Sequence, residues 1–254
     1  MGTRILIPLA VAVFSATAFA HHESTFEHIP LQERIKMSER TESWAYTPPI
    51  VSIADNGVPS DAMQLMASDL SQWESTQGGD APWIFANGEV TVAPGSGDIR
   101  SKRAFCDIQL HFEWRAPTPS AGMVGQQRNN SGIFLQERYE LQILDSFDNP
   151  TYGNGQAGAI YKQVPPRVNA MKAPGEWQRY DILYTAPRFD GEARVSPGYV
   201  TLIHNGVVLH NHQEIAGTTE WIGPPQIDQH GCAPLKLQDH GNKVSFRNMW
   251  VREL

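Results

Sequence analysis

Cysteine, clustered basic residues and long apolar runs are all scarce in this chain, and each scarcity excludes a class of protein. The two cysteines, Cys106 and Cys232, lack the C-x-x-C spacing of a metal or redox site. The 20 Lys and Arg residues never cluster and the net charge is −7, which argues against a nucleic acid partner. A neutral polar partner fits this charge better. We find no transmembrane segment, because no run is both long and apolar enough to span a bilayer.

The first 20 residues are typical of a secretory signal peptide. Arg4 provides a basic start, an apolar stretch follows, and Ala18-Phe-Ala20 forms an A-x-A cleavage site. We therefore expect residues 1–20 to be removed and the protein to be secreted or periplasmic. In such an oxidising compartment a disulfide between Cys106 and Cys232 is allowed but not required, so the sequence leaves both states open.

Helical periodicity is nowhere sustained, and short strand patterns predominate. Residues 21–58 contain prolines and a segment able to form a short helix, and we interpret them as an N-terminal arm. Over residues 59–254 apolar and polar residues alternate in short runs, separated by Gly, Pro and Asn. Asn87-Gly88 and Asn205-Gly206 are strong hairpin-turn signals. The sequence thus predicts a single all-β domain, a sandwich or jelly roll.

The most informative segment spans residues 130–145, where apolar and polar residues alternate as in one half-buried strand. Glu140, Gln142 and Asp145 bring two acids and an amide to it. Glu140 and Gln142 share a face, and a β-bulge near residues 143–144 would return Asp145 to that face. Carboxylates so placed could bind sugar hydroxyls or transfer protons. An ordinary solvated surface strand is the alternative.

Other polar and aromatic residues could converge with this strand on one sheet of a jelly roll. Those that we expect to contact a sugar are Arg128, Asn130, Gln142, Tyr161, Lys162, Trp177, Gln238 and Arg247. His240 is the best single candidate for proton transfer, since histidine ordinarily titrates near neutrality. Residues 239–242 also have the composition of a hairpin turn, in which His240 would have no chemical role.

Several short motifs resemble the 3-keto-disaccharide hydrolase family of secreted bacterial proteins. They include Asn130-Ser-Gly-Ile-Phe-Leu135, Tyr139-Glu-Leu-Gln-Ile-Leu-Asp-Ser146, Gly158-Ala-Ile-Tyr161, Leu237-Gln-Asp-His-Gly241 and Phe246-Arg-Asn-Met-Trp250. The resemblance covers residues 59–254 and implies a concanavalin-like jelly-roll sandwich of two antiparallel sheets, related to laminarinases and lichenases. Those glucanases carry an E-x-D-x-x-E strand. Glu140 matches its first acid, but Gln142 replaces the Asp and Asp145 replaces the second Glu.

The same resemblance implies an enzyme that acts on sugars already oxidised to a ketone at C3. The ketone acidifies the hydrogen on C2, so a base can remove it, the enolate can expel the C1 substituent, and water can add. The hypothesis takes His240 or Glu140 as the base. It takes Arg128 or Arg247 as the enolate stabiliser and Asp145 as the acid or as a partner of the histidine. A divalent metal ion bound by Glu140, Asp145 and His240 could replace the arginine.

Two other functions are compatible with the sequence. A non-catalytic, lectin-like module would bind carbohydrate in the same cleft, and an amide in place of an acid at Gln142 favours it. A β-glucanase acting on unoxidised glucans is the second, although Gln142 and the short Asp145 weaken a double-displacement mechanism. The sequence does not determine the oligomeric state.

Overall fold

The computed structural model describes residues 26–118 and 122–254. The predicted signal peptide, residues 1–20, lies outside the described residues. By its internal contacts the chain divides into two units, Met1–Ile50 and Val51–Leu254, so residues 51–58 of the predicted arm group with the second unit. The first unit contains helix α1 (Leu31–Glu39). Among the described residues, no helix is long and apolar enough to cross a membrane.

Short strands make up most of the second unit. They are β1 (Met63–Gln64), β2 (Trp73–Ser75), β3 (Ile84–Ala86), β4 (Glu89–Thr91), β5 (Ile99–Phe105), β6 (Ile108–Arg115), β7 (Ser131–Leu135), β8 (Tyr139–Ile143), β9 (Gln178–Thr185), β10 (Arg188–Asp190), β11 (Ala193–Ser196), β12 (Gly198–His204), β13 (Val207–Ile215), β14 (Ala233–Leu237) and β15 (Ser245–Glu253). Short 3-10 turns at Gly125–Gln127 and Gly153–Gly155 interrupt the long loops.

Two antiparallel sheets form a sandwich. One has eight strands in the order β13-β12-β9-β6-β15-β4-β3, with β1 also paired to β15. The other has five strands in the order β2-β5-β14-β7-β8, and β10 and β11 form a separate ribbon. This architecture confirms the predicted all-β class, a concanavalin-like jelly roll.

The core lies between the two sheets because alternate side chains of each strand point inward. Ile133 and Leu141 of the five-stranded sheet share one buried cluster with Leu110, Phe112 and Tyr180 of the eight-stranded sheet. Where the alternation is regular, as in β8, the intervening positions face away from this core. The outward face of the five-stranded sheet is therefore where polar side chains from distant parts of the chain can meet.

The segment that we expected to be one strand is instead the hairpin of β7 and β8. Its register pairs Gly132 with Gln142 and Phe134 with Glu140, without a bulge. The predicted bulge near residues 143–144 is therefore wrong, and β8 ends before Asp145. Glu140 and Gln142 do share the outward face, as their spacing predicts.

The turn of this hairpin lies at Gln136 and Glu137, whose φ angles are 52° and 59°. The connection has three residues, 136–138, and left-handed angles at a hairpin turn usually select Asn or Gly. Here the fold holds Gln136 in place through its buried side chain. Its Nε2 donates to the Phe105 carbonyl at 3.1 Å, and its Oε1 accepts the Tyr184 hydroxyl at 2.7 Å.

The disulfide between Cys106 and Cys232 is formed. Cys106 lies between β5 and β6, and Cys232 lies directly before β14. The bond therefore anchors the end of the β13–β14 loop (residues 216–232), another part of which approaches the edge strand β8.

Candidate active site

A cavity of about 500 Å³ opens on the outward face of the five-stranded sheet. Its lining residues are Gln126, Gln127, Asn130, Phe134, Glu140, Gln142, Tyr152, Tyr161, Lys162, Thr219, Trp221, Gln238 and His240. Strands β7 and β8 supply the floor, and three loops and the segment directly after β14 supply the walls. A volume of this size is typical of small-molecule sites.

Two loops fix the backbone of Glu140 at the free edge of β8. Its N–H donates to Thr219 Oγ1 at 2.9 Å. Its carbonyl accepts the N–H of Tyr161 at 3.0 Å. An edge strand otherwise leaves these groups unpaired. The two contacts therefore hold Glu140 in register while its side chain faces the cavity.

The Glu140 carboxylate lies over Gly132 on the neighbouring strand. A Cβ atom on Gly132 would come within 2.6 Å of Glu140 Oε1, so any larger residue would displace the carboxylate. Burial raises the pKa of Glu140 to about 8, while Lys236 lowers it and Asp98 raises it. A carboxyl group with this pKa can gain or lose a proton near neutral pH, as general acids and bases do.

His240 lies on the exposed margin of the cavity, in the connection between β14 and β15. Those strands belong to different sheets, so residues 239–242 do not form a hairpin turn. Asp239 fixes the connection because its Oδ1 accepts the Gly241 N–H at 2.9 Å and its Oδ2 accepts the Gly97 N–H at 3.0 Å. The connection thus brings an imidazole and the Glu140 carboxylate to one cavity.

Both the nitrogen and the oxygen of the Gln142 side-chain amide form hydrogen bonds. Its Nε2 donates to Gln126 Oε1 at 2.9 Å, and its Oε1 accepts the Ile143 N–H at 3.0 Å. Gln126 in turn donates to Thr151 Oγ1 at 3.0 Å and to the Gly155 carbonyl at 2.9 Å. An aspartate at position 142 could not donate to Gln126. Gln142 therefore helps to position the loop that carries Gln126.

Tyr161, Tyr152 and Lys162 form one wall of the cavity. The two tyrosine hydroxyls lie 2.8 Å apart, and Lys162 Nζ lies 4.4 Å from the centroid of the Tyr152 ring. Burial, followed by the hydrogen bond with Tyr152, raises the pKa of Tyr161 well above its ordinary value. The wall therefore presents a cation and a protonated phenol.

Asn130 and Gln238 present their amides beside the floor. Asn130 Nδ2 donates to the Gln126 carbonyl at 2.8 Å, so this side chain also orders the loop. Gln238 Oε1 is buried and has no hydrogen-bond partner among the described residues.

Asp145 and Arg128, which we expected in the site, do not line the cavity. Asp145 lies beyond the end of β8 and is fully buried, and its Oδ2 accepts Arg128 Nε at 2.9 Å. Its Oδ1 accepts the Phe147 N–H at 3.2 Å. Because the strand has no bulge, Asp145 does not share the face of Glu140. The ion pair stabilises the start of the following loop instead.

Trp177 and Arg247 lie on the outward face of the eight-stranded sheet, away from this cavity. Alternation in β15 places Phe246 in the core and turns Arg247 outward. The guanidinium carbon of Arg247 lies 4.0 Å from the centroid of the Trp177 ring, and that of Arg115 lies 4.5 Å from it. Arg247 Nε also donates to Glu113 Oε2 at 2.6 Å. Both residues therefore belong to a separate charged cluster.

The three metal ligands that we expected are not assembled. Glu140 and His240 line the cavity, but Asp145 is bound to Arg128 outside it. In the described parts of the chain, no group of three or more His, Cys, Asp or Glu side chains is placed to hold a metal ion. The residues present therefore do not fit the hypothesis of a divalent metal centre.

Sequence reasoning missed Gln126, Gln127, Phe134, Tyr152, Thr219 and Trp221. Phe134 would have been found if the β7–β8 turn had been recognised, because the hairpin register places it opposite Glu140. Trp221, which is 76% exposed, lies in a loop with no strand pattern. Its position beside β8 depends on contacts of that loop which are not local in sequence.

Comparison with known proteins identifies one family model, the 3-keto-alpha-glucoside-1,2-lyase-like domain, which matches residues 62–252. No curated protein was found to match the chain. A "putative glycosyl hydrolase" of known structure from Parabacteroides distasonis is 50% identical, covers 85% of this chain and 96% of its own, and has a TM-score of 0.81.

Two further proteins of the same description and organism have the same fold. One is 22% identical, covers 76% of this chain and 94% of its own, and has a TM-score of 0.58. The other is 18% identical, covers 76% of this chain and 99% of its own, and has a TM-score of 0.54. At these identities the likeness shows the fold alone.

Proposed function

The chain belongs to the 3-keto-alpha-glucoside-1,2-lyase-like domain family, and from this premise we propose that it cleaves the glycosidic bond of 3-keto-glycosides. The family and the 50% identical structure described as a glycosyl hydrolase support a carbohydrate-active enzyme. The observation that carries the finer proposal is the buried Glu140 carboxyl, with a pKa of about 8, on the floor of a polar cavity. The signal-like residues 1–20 support action outside the cytoplasm.

Glu140 is the proposed base. The C3 ketone acidifies the hydrogen on C2, and the Glu140 carboxylate takes this proton while the electron pair forms the C2–C3 enolate. A carboxylate with a raised pKa is a stronger base than an exposed one, and it is still partly ionised near neutral pH. Its fixed backbone keeps it aimed at one position in the cavity.

Lys162 and Tyr161 are proposed to stabilise the enolate oxygen, in place of the arginines expected from the sequence. Lys162 supplies a positive charge and Tyr161 a hydroxyl donor, since burial keeps that phenol protonated. Donors that are fixed before the reaction stabilise developing negative charge without reorganising. The Lys162 backbone is held at a φ of 62°, and its N–H donates to the Asn154 carbonyl at 2.8 Å.

His240 is the proposed acid for the leaving group. When the enolate reforms the C3 ketone, a C1–C2 double bond forms, the C1–O bond breaks, and the departing oxygen takes a proton from His240. His240 is exposed at the cavity margin, where a leaving group would depart toward solvent. Water then adds its oxygen to C1 of the enone and gives a proton to His240, while the proton held by Glu140 returns to C2, so the sum of the steps is hydrolysis.

The test compares a 3-keto-glucoside with its parent glucoside. We expect the wild-type protein to cleave only the keto sugar. Glu140→Gln should lower kcat/KM by about 10²–10⁴-fold, as expected for loss of a general base. Glu113→Gln, which removes a carboxylate from the other sheet, is the matched control and should retain activity.

Other outcomes would contradict the proposal. Cleavage of the parent glucoside alone would favour a glucanase. Binding of either sugar without turnover would favour the lectin-like module. Full activity of a folded Glu140→Gln variant would remove Glu140 from the mechanism.

A further inference from the structure

A row of side chains crosses the outward face of the five-stranded sheet, starting from Glu140. The register places Glu140 opposite Phe134 on β7. Phe134 lies opposite Lys236 on β14, and Lys236 lies opposite Arg100 on β5. Glu140 and Phe134 line the cavity, whereas Lys236 and Arg100 lie beyond it. Two positively charged side chains, Lys236 and then Arg100, therefore follow Phe134 across the sheet, directly outside the cavity.

Lys236 rests on the aromatic ring that separates it from Glu140. Its Nζ lies 3.9 Å from the centroid of Phe134. The same Nζ lies 3.2 Å from Asp98 Oδ2, and the two side chains are only 20% and 25% exposed. A partly desolvated cation over a ring face is held strongly and is poorly screened by water. Its charge therefore acts on Glu140 from a fixed position.

Asp98 joins Lys236 to the segment that carries His240. Its Oδ1 accepts the N–H of Asp239 at 2.8 Å. Its carbonyl accepts the N–H of Thr76 at 3.0 Å and the Thr76 hydroxyl at 3.1 Å. Asp98 is thus fixed on both its backbone and its side chain. It can neither rotate away from Lys236 nor be removed without loosening the His240 connection.

We propose that Lys236 and Asp98 form a dyad that sets the charge of Glu140 from outside the cavity. Lys236 favours the ionised carboxylate, which can accept a proton, and Asp98 limits this effect. Lys236 is a positioning residue, because it acts through space behind Phe134 and does not touch the reacting atoms. The role of this dyad in turnover rests on the proposed function, but its effect on Glu140 does not.

The directions of the pKa shift support this geometry, since burial has the largest effect and raises the pKa of Glu140, Lys236 lowers it, and Asp98 raises it. The other titratable groups that line the same cavity are Tyr161, Tyr152 and Lys162 from the loop after β8 and His240 from the connection after β14. All of these remain unchanged in the variants that test the dyad.

The direct test is a titration of Glu140 by carbon-13 NMR in protein labelled at the glutamate carboxyl carbon. The Glu140 signal is identified by its loss in Glu140→Gln. We expect Lys236→Met to raise the midpoint by about one pH unit, because the cation lies roughly two strand spacings away. Asp98→Asn should lower the midpoint, and it keeps the oxygen that accepts the Asp239 N–H.

Two controls separate charge from structure. Lys236→Arg retains the positive charge and should leave the midpoint near the wild-type value. Lys102→Met removes a positive charge from an exposed position on β5 and should also leave it unchanged. Midpoints that do not move, or that move in the same direction in Lys236→Met and Asp98→Asn, would overturn the dyad.

The titration needs no substrate, so the two proposals fail separately. Opposite shifts without turnover of a 3-keto-glucoside would support the dyad and reject the proposed function. Turnover with an unmoved Glu140 midpoint would reject the dyad alone. When the wild-type protein is active, the acidic limb of its kcat/KM profile should shift in the same direction as the NMR midpoint in each variant.

Discussion

Burial of the ionisable Glu140 side chain has two opposite consequences, one for catalysis and one for stability. Burial removes water from the carboxylate and so raises its basicity, but it also penalises the folded state whenever the group is charged. Gly132 makes room for the group, and Lys236 reduces the penalty in part. This single side chain is expected to be useful for catalysis and unfavourable for stability above its folded pKa.

Replacing Glu140 by Gln should therefore stabilise the protein at alkaline pH. The pKa rises from 4.5 for the unperturbed group to about 8 in the fold, so the stabilisation by the neutral acid is complete below 4.5 and is lost as pH rises through 8. Each unit of this difference is worth about 1.4 kcal/mol. Urea unfolding at several pH values between 5 and 9 measures the effect.

The free energies of unfolding of wild type and Glu140→Gln should be closest at pH 5 and should diverge as pH increases. Glu113→Gln again provides the matched comparison, since that carboxylate is paired with Arg247 on the other sheet. Two parallel stability curves for wild type and Glu140→Gln would show that Glu140 titrates normally in the folded protein.

At the residue scale, spacing along the chain predicted the site residues whose position is determined by their own strand alone. Glu140 and Gln142 have the two-residue spacing of one strand face, and the structure places both on the cavity. Asp145 required a bulge that does not exist. Arg247 was expected beside Glu140, but the structure places it on the eight-stranded sheet, because the sequence does not state which sheet its strand joins.

At the scale of the elements, the β7–β8 hairpin shows why the longest strand prediction was wrong. The turns at Asn87 and Asn205 were predicted correctly because Asn-Gly pairs favour left-handed backbone angles locally. Gln136 and Glu137 have no such preference. Their turn is stabilised by contacts of the Gln136 side chain with residues distant in sequence, which a local pattern cannot reveal.

Gln136→Ala should consequently destabilise the fold by about 3 kcal/mol, because it leaves the buried Tyr184 hydroxyl and nearby backbone carbonyls without their partner. Thermal or urea unfolding measures the loss. In a Tyr184→Phe background, Gln136→Ala should lower the free energy of unfolding by less, because the Tyr184 hydroxyl, which needs a hydrogen-bond partner, is already absent. Equal costs in both backgrounds would show that the Gln136–Tyr184 contact does not support the turn.

On the scale of the whole molecule, the site depends on strand order, which the sequence alone did not provide. β14 lies between β5 and β7 in the five-stranded sheet, although these strands are far apart in the chain. This order places Lys236 beside Phe134 and Gln238 beside Gly132, each separated from β8 by one strand. The chain then crosses to the other sheet as β15, and His240 reaches the cavity margin because it lies in that crossing.

The same strand order separates the Trp177 cluster from the reaction that we propose. Trp177→Ala should leave kcat/KM for a 3-keto-glucoside within about threefold of wild type, equivalent to roughly 0.7 kcal/mol. It should lower stability, since each cation–π contact with Arg115 and Arg247 contributes about 0.5–1 kcal/mol. Trp221→Ala, the same change at the cavity wall, should instead raise KM with little loss of stability, because that indole is exposed.

Steady-state kinetics and thermal unfolding of both variants distinguish the two surfaces. Loss of turnover in a folded Trp177→Ala protein, with normal kinetics in Trp221→Ala, would place the sugar on the eight-stranded sheet and remove the Glu140 cavity from the mechanism.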